Sequence, residues 1–135
     1  MKEILLVEDD DVQAFLVERA FRRAGVANPI ERVSDGQEAL DLLRLSPDGL
    51  PSLLLLDLKM PRLTGFEVLE AIRADGRTCG LPVVIVTSSD SPADRERAAR
   101  KGVVGYLLKP CDPEQIRCVV PRELFLSETD PEPGP

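Results

Sequence analysis

Short apolar runs recur along the chain, separated by longer stretches in which apolar and polar residues are mixed. Ile4-Leu5-Leu6-Val7 is the first run, residues 30–33 (Ile-Glu-Arg-Val) a weaker second, and Leu53-Leu54-Leu55-Leu56 the third. Val83-Val84-Ile85-Val86 is the fourth, and Val103 to Leu108, broken by Gly105, the fifth. The first, third and fourth runs are apolar throughout instead of alternating. That pattern predicts strands covered on both faces, hence a parallel sheet.

The stretches between them carry helix signals. Residues 11–24 place Val12, Phe15, Leu16 and Ala20 on one apolar face, and Gly25 supplies a stop. Ser34-Asp35-Gly36-Gln37-Glu38 contains two overlapping capping boxes ahead of Ala39, Leu40 and Leu43, and Thr64-Gly65-Phe66-Glu67 contains another. Ser91-Pro92 and Asp112-Pro113 each pair an N-cap with proline at the first helical position. The predicted order is strand then helix, five times over. Right-handed crossovers then put helices on both faces of the sheet. Residues 46–51 read as a long turn, Pro121 as the stop of the last helix, and residues 127–135 as a disordered tail after a single domain over 1–126.

Composition narrows the chemistry. A chain of 135 residues fits one domain with its own core. A formal charge of −7 disfavours direct nucleic-acid binding and favours a cation. No histidine is present, which excludes Ser/His and Cys/His catalysis and histidine-type zinc sites. Cys79, Cys111 and Cys118 lack metal-ligand spacing and read as reduced thiols. With no signal peptide at Met1-Lys2-Glu3-Ile4 and no apolar run of membrane-spanning length, the expected location is the cytoplasm.

Polar residues stop the strands at telling places. Glu8, Asp9, Asp10 and Asp11 follow the first run, Asp57 the third, Thr87 and Ser88 the fourth, and Lys109 the fifth. Open α/β sheets bind ligands at these carboxyl ends. In a strand order 2-1-3-4-5, the first and third strands are neighbours at the switch point, and Glu8, Asp9 and Asp57 converge. Clustered carboxylates raise a pKa or recruit a cation, and the fitting ion is a hard dication such as Mg²⁺. Asp10 and Asp11 read as a solvated helix start favoured by the dipole. Asp57 has no capping duty to explain it. Lys109-Pro110 places an ammonium within reach of the acids, and the proline admits a cis bond.

Taken together, Val7-Glu8-Asp9, Leu56-Asp57-Leu58-Lys59-Met60-Pro61, Thr87-Ser88 and Lys109-Pro110 resemble the signature of response-regulator receiver domains. Gly65 and the segment Gly102-Val103-Val104-Gly105-Tyr106-Leu107 fit as well, and the resemblance covers residue 3 to about residue 120. It implies a flavodoxin-like, doubly wound (βα)5 fold with a five-stranded parallel sheet in the order 2-1-3-4-5. It implies a signalling phosphoacceptor and not an enzyme with turnover. Asp57 would take a phosphoryl group from a sensor histidine kinase in a Mg²⁺-dependent reaction. Glu8 and Asp9 would hold the metal with Asp57, Asp9 preferred as direct ligand and Glu8 acting through water, while Lys59 would offer its backbone carbonyl. Thr87 would be the switch hydroxyl, Tyr106 the switch aromatic, and Lys109 the contact to the phosphoryl oxygens.

Further expectations follow from the resemblance. Lys59 and Ser89 would border the path of attacking water and tune dephosphorylation. With no output domain, the signal would pass by binding a downstream protein or by relay. The turn at 46–51 and the stretch from Leu81 to Ser89 resemble single-domain regulators paired with phytochrome-type kinases. Leu124, Phe125 and Leu126 would either fold back on the domain or form an arm on a second copy, giving a homodimer. The rivals are weaker. A Mg²⁺-dependent aspartyl phosphatase needs a second acid where Lys59 stands, a never-phosphorylated module leaves the full residue set unexplained, and a flavin site lacks its phosphate loop after the first run.

Overall fold

The apolar runs pair side by side, as strands that bury both faces must. The structure, a computed structural model, describes residues 2–45 and 49–124. Strands β1 (Ile4–Val7), β2 (Ile30–Val33), β3 (Leu53–Leu56), β4 (Val83–Thr87) and β5 (Gly105–Leu108) alternate with helices α1 (Asp11–Arg23), α2 (Gly36–Arg44), α3 (Gly65–Ala74), α4 (Pro92–Arg100) and α5 (Pro113–Val119). The five strands form one sheet in the order β2-β1-β3-β4-β5, with every pair parallel. This is the predicted doubly wound arrangement, with the first and third strands adjacent.

The pleat divides the core in two. Leu5, Val7, Leu54, Leu56, Val83 and Ile85 face α2, α3 and Ala98 of α4. Ile4, Leu6, Leu53, Leu55, Val84 and Val86 face α1, α5 and Leu124. Every residue of β1, β3 and β4 is buried.

The caps act where the sequence places them. Asp10 accepts the Gln13 N–H, Asp35 the Glu38 N–H, Ser91 the Asp94 N–H and Asp112 the Glu114 N–H. Thr64 and Glu67 close a reciprocal box. Around α2 the Glu38 carboxylate reaches back to the N–H of Ser34, one residue before the cap. Each such cap contributes about 1 kcal/mol.

One expectation is corrected. The face of α1 that packs on the sheet is Ala14, Val17, Ala20 and Phe21. Val12 is 64%, Phe15 62% and Leu16 41% exposed. Of the four residues expected on the packed face only Ala20 is buried, because a second apolar stripe runs along this helix and that one meets the sheet. The helix stops at Ala24, with Gly25 at φ 99°.

After α5 the chain turns at Pro121 into a single 3-10 turn, Arg122–Leu124. Leu124 is buried against the α1 and α5 side of its own domain, so for this residue the chain folds back. Phe125, Leu126, the domain boundary at 126 and the tail over 127–135 lie outside the described residues, as do residues 46–48 of the expected turn. Among the described residues no helix is long and apolar enough to cross a membrane.

Candidate functional site

Register builds the site. Val7 of β1 lies opposite Leu56 of β3, so Glu8 and Asp57 leave the sheet side by side at its carboxyl edge. The ladder runs one residue further: the Asp57 N–H donates to the Val7 carbonyl at 3.3 Å and the Glu8 N–H to the Val33 carbonyl at 3.1 Å. Both acids are buried, at 2% exposure for Glu8 and 5% for Asp57. Asp9, one residue on, is exposed, yet carboxylate oxygens of Glu8, Asp9 and Asp57 lie within 4.8 Å of one another.

Lys109 enters from the end of β5. Its N–H donates to the Thr87 carbonyl at 2.9 Å, and the bond to Pro110 is cis. Its ammonium donates to Glu8 Oε1 at 2.5 Å and Asp57 Oδ2 at 3.0 Å. Burial alone would lower the Lys109 pKa, but its hydrogen bonds to both acids and their charge outweigh burial and hold it above the usual lysine range. Burial raises the Glu8 carboxyl, more than the Lys109 bond lowers it. Beside them the Cys111 thiol is pushed up to about 11, mainly by burial.

These groups line an open cleft of about 440 Å³, with Lys59, Ser88, Leu16 and Pro110 on its walls. The Lys59 side chain is exposed at the rim, while its N–H donates to Asp57 Oδ1 at 3.1 Å. Gly65 explains how the loop after β3 is held. A Cβ there would collide with the Asp57 carbonyl oxygen and come within 2.6 Å of Leu58 Cα. Only a glycine lets α3 begin this close to the acid.

Thr87 and Tyr106 are placed differently from the acids. Neither lines the cleft. Thr87 is fully buried, and its Oγ1 accepts the Ser89 N–H at 3.3 Å. Tyr106 is half-buried and donates from its hydroxyl to the Ser89 carbonyl at 2.9 Å. The Ser89 hydroxyl donates to Asp94 Oδ2 at 2.6 Å.

Sequence reasoning missed two participants. Arg32 of β2 donates from Nε to the Glu8 carbonyl at 2.9 Å and pairs with Asp11 at 2.6 Å. Charges interrupting the otherwise apolar second run were the signal for it. Cys111 joins the cleft because the loop turns inward after Lys109, which no local pattern announces.

The donor set fits a hard dication. Glu8, Asp9, Asp10 and Asp57 line the cleft against the two ammonium groups of Lys59 and Lys109, which leaves negative charge in excess. All the offered ligand atoms are oxygens, the preference of Mg²⁺.

Comparison with known proteins gives a consistent picture. The response regulator receiver domain family matches residues 4–120. A probable methanogenesis regulatory protein, FilR2 of Methanothrix harundinacea, is 44% identical over 120 residues, 87% of this chain and 77% of that protein. Several other curated relatives are longer, and the chain spans as little as 15% of one of them, whereas it covers 92% of protein PilH of Pseudomonas aeruginosa at 29% identity. Among solved structures, the bacteriophytochrome response regulator AtBRR aligns with a TM-score of 0.80 and 34% identity over 92% of both chains. The Mn²⁺-bound form of response regulator Rcp1 aligns with a TM-score of 0.75 and 29% identity, over 99% of this chain and 100% of that one.

Proposed function

This chain belongs to the response-regulator receiver family, a family of signalling domains that bind Mg²⁺ at an acidic site and work with sensor histidine kinases, and on that premise we propose that Asp57 is its phosphoacceptor. The observation that carries the proposal is the convergence of Glu8, Asp9 and Asp57 within 4.8 Å, with the Lys109 ammonium 3.0 Å from Asp57. An Asp57 carboxylate oxygen attacks the phosphorus of a phosphohistidine in line. The new O–P bond forms as the P–N bond breaks, and the imidazole nitrogen leaves with the bond's electron pair. Such a transition state is loose, so the protein's part is to position and to neutralise.

Lys109 already bridges Glu8 and Asp57, and it turns to the equatorial oxygens of the incoming group as a point charge. Glu8, Asp9, Asp57 and the Lys59 carbonyl would hold Mg²⁺, which when bound supplies charge neutralisation to the phosphoryl oxygens. The N–H of Lys59 holds one Asp57 oxygen and so fixes the carboxylate plane. The product is an acyl phosphate, and water ends the signal.

Thr87 is the switch hydroxyl. On phosphorylation it swings towards the new oxygens and gives up its bond to the Ser89 N–H. Tyr106 then shifts on the surface formed by α4, β5 and α5, where a downstream protein reads the change. A full turnover of the ensemble needs about 5.5 kcal/mol of preference. Charge-assisted hydrogen bonds of roughly 1.5–3 kcal/mol each, from Thr87 and Lys109, supply that scale. The likeness to AtBRR supports a phytochrome-type sensor kinase as the donor.

Intact mass after incubation with acetyl phosphate and Mg²⁺ tests the reading. Wild type gains one phosphoryl group and Asp57→Asn gains none. A variant that still gains the mass, or a wild type that stays unmodified, overturns it.

A further inference from the structure

Ser89 is bonded in three directions at once. Its N–H is held by Thr87 Oγ1 at 3.3 Å, its carbonyl by the Tyr106 hydroxyl at 2.9 Å, and its own hydroxyl donates to Asp94 Oδ2 at 2.6 Å and accepts the Ser91 N–H at 3.4 Å. It is 6% exposed, so water competes poorly for these bonds. One residue thus touches both expected switch positions and a carboxylate of α4.

These bonds differ in strength. A bond to a carboxylate is charge-assisted and roughly twice as strong as a neutral one, and at 2.6 Å it is well formed. The bond to Thr87 is neutral and long. The loop after β4 is therefore fastened to α4 more firmly than to Thr87. Asp94 is itself fixed: its N–H donates to the Ser91 hydroxyl at 3.2 Å, and it sits in the first turn, where the helix favours an acid. The Arg95 guanidinium lies 4.6 Å from the centre of the Tyr106 ring and also reaches Asp90, which ties the other side of the aromatic to the same helix.

We propose that Asp94 is a positioning residue for the switch: through the Ser89 hydroxyl it holds the loop that seats Tyr106 and restrains Thr87. With Ser89 anchored, Thr87 can leave for the phosphoryl group at the loss of one weak bond, while the acceptor for Tyr106 stays in place. Without the anchor, Ser89 follows Thr87 and the Tyr106 seat blurs in both states. This inference rests on the reading of Asp57 as the phosphoacceptor, but its first test does not.

Tyr106 is the single tyrosine of a chain without tryptophan, so its phenol can be followed by absorbance and emission. Its pKa is raised, first by burial. A hydrogen bond from the Ser89 side chain and the charge of Arg95 pull it down, and Asp94 and Asp90 push it up. Ser89→Ala keeps every one of these charges but deletes, with the bond to Asp94, the acceptor of the Ser91 N–H and the Ser89 side-chain bond that lowers the phenol. The tether itself is read from Asp94→Ala against Asp94→Asn, which lose the same charge. The expected result in unphosphorylated protein is that Ser89→Ala shifts the phenol midpoint by at least about half a pH unit, from a looser seat. Asp94→Asn keeps an acceptor and should restore part of what Asp94→Ala loses.

The second readout is the change in Tyr106 emission on adding acetyl phosphate and Mg²⁺. Ser89→Ala and Asp94→Ala should each cut it roughly threefold, and the double variant no further, as coupled residues do. Thermal melts exclude simple unfolding. An unchanged phenol midpoint in Ser89→Ala, or independent losses in the double variant, would sink the tether. A wild type gaining no phosphoryl mass would instead fell the reading of Asp57 and leave the titration to judge the tether.

Discussion

Cys111 shows how strongly one environment can act on one residue. It follows the lysine that neutralises the acids and lines the same cleft, and burial pushes its thiol up to about 11. The thiolate is the reactive form. Against an ordinary thiol of 9.0, that value leaves roughly 100-fold less thiolate near neutral pH. Alkylation with iodoacetamide should therefore reach the exposed Cys79 and Cys118 first. Labelling at Cys111 should rise only as the pH climbs through its raised value, or once the protein is unfolded. Peptide mass mapping over a pH series checks this, and equal labelling of Cys111 and Cys79 at pH about 8 would contradict it. The chemistry of the acids was open to a reader of the sequence, because Glu8, Asp9, Asp57 and Lys109 each end an apolar run. Cys111 was not, because its burial comes from the path of a loop. Arg32 lay between: its charge in an apolar run was visible, its partner was not.

At the scale of elements, the junction of β3 and α3 carries the largest constraint. Gly65 sits against the carbonyl of Asp57, and its N–H donates to the Leu58 carbonyl at 3.1 Å. Gly65→Ala would force backbone against backbone, and overpacking of this kind costs about 1–3 kcal/mol. Denaturant melts should show that loss, and acetyl phosphate should label the variant more slowly because Asp57 and Lys59 shift with the loop. An alanine variant with wild-type stability and labelling would remove the argument. The strands, the caps and the order of elements were legible because parallel strands leave unbroken apolar runs and helix starts need specific side chains. The inward face of α1 was not. Val12, Phe15 and Leu16 form one apolar stripe, and Ala14, Val17, Ala20 and Phe21 another. Helical period alone does not choose between them. Arg19 and Arg23 extend the stripe of Val12 and Leu16, and they mark it as the outward one.

For the molecule as a whole, the acidic cleft sets folding stability against function. Chain charge is −7, and the Glu8, Asp9 and Asp57 oxygens converge in a cleft that Asp10 also lines and only Lys109 and Lys59 offset among the described residues. A bound dication relieves that excess in the native state, where the three oxygens are gathered, and not in the unfolded chain, where they are apart. Linkage then requires Mg²⁺ to stabilise the fold. At a hundredfold excess over its Kd the gain is about 2.7 kcal/mol, a rise of roughly 8–11 °C in Tm for a domain of this size. Chelation should return the protein to its metal-free Tm. Simple screening is separable from binding, because NaCl at matched ionic strength weakens repulsion all over the surface. The expected pattern is a large Mg²⁺ shift in wild type, less than half of it in Asp9→Asn and in Asp57→Asn, and a small, equal NaCl effect in all of them. Equal Mg²⁺ shifts in the wild type and both variants would mean that the ion acts on the chain's net charge and not on this cleft.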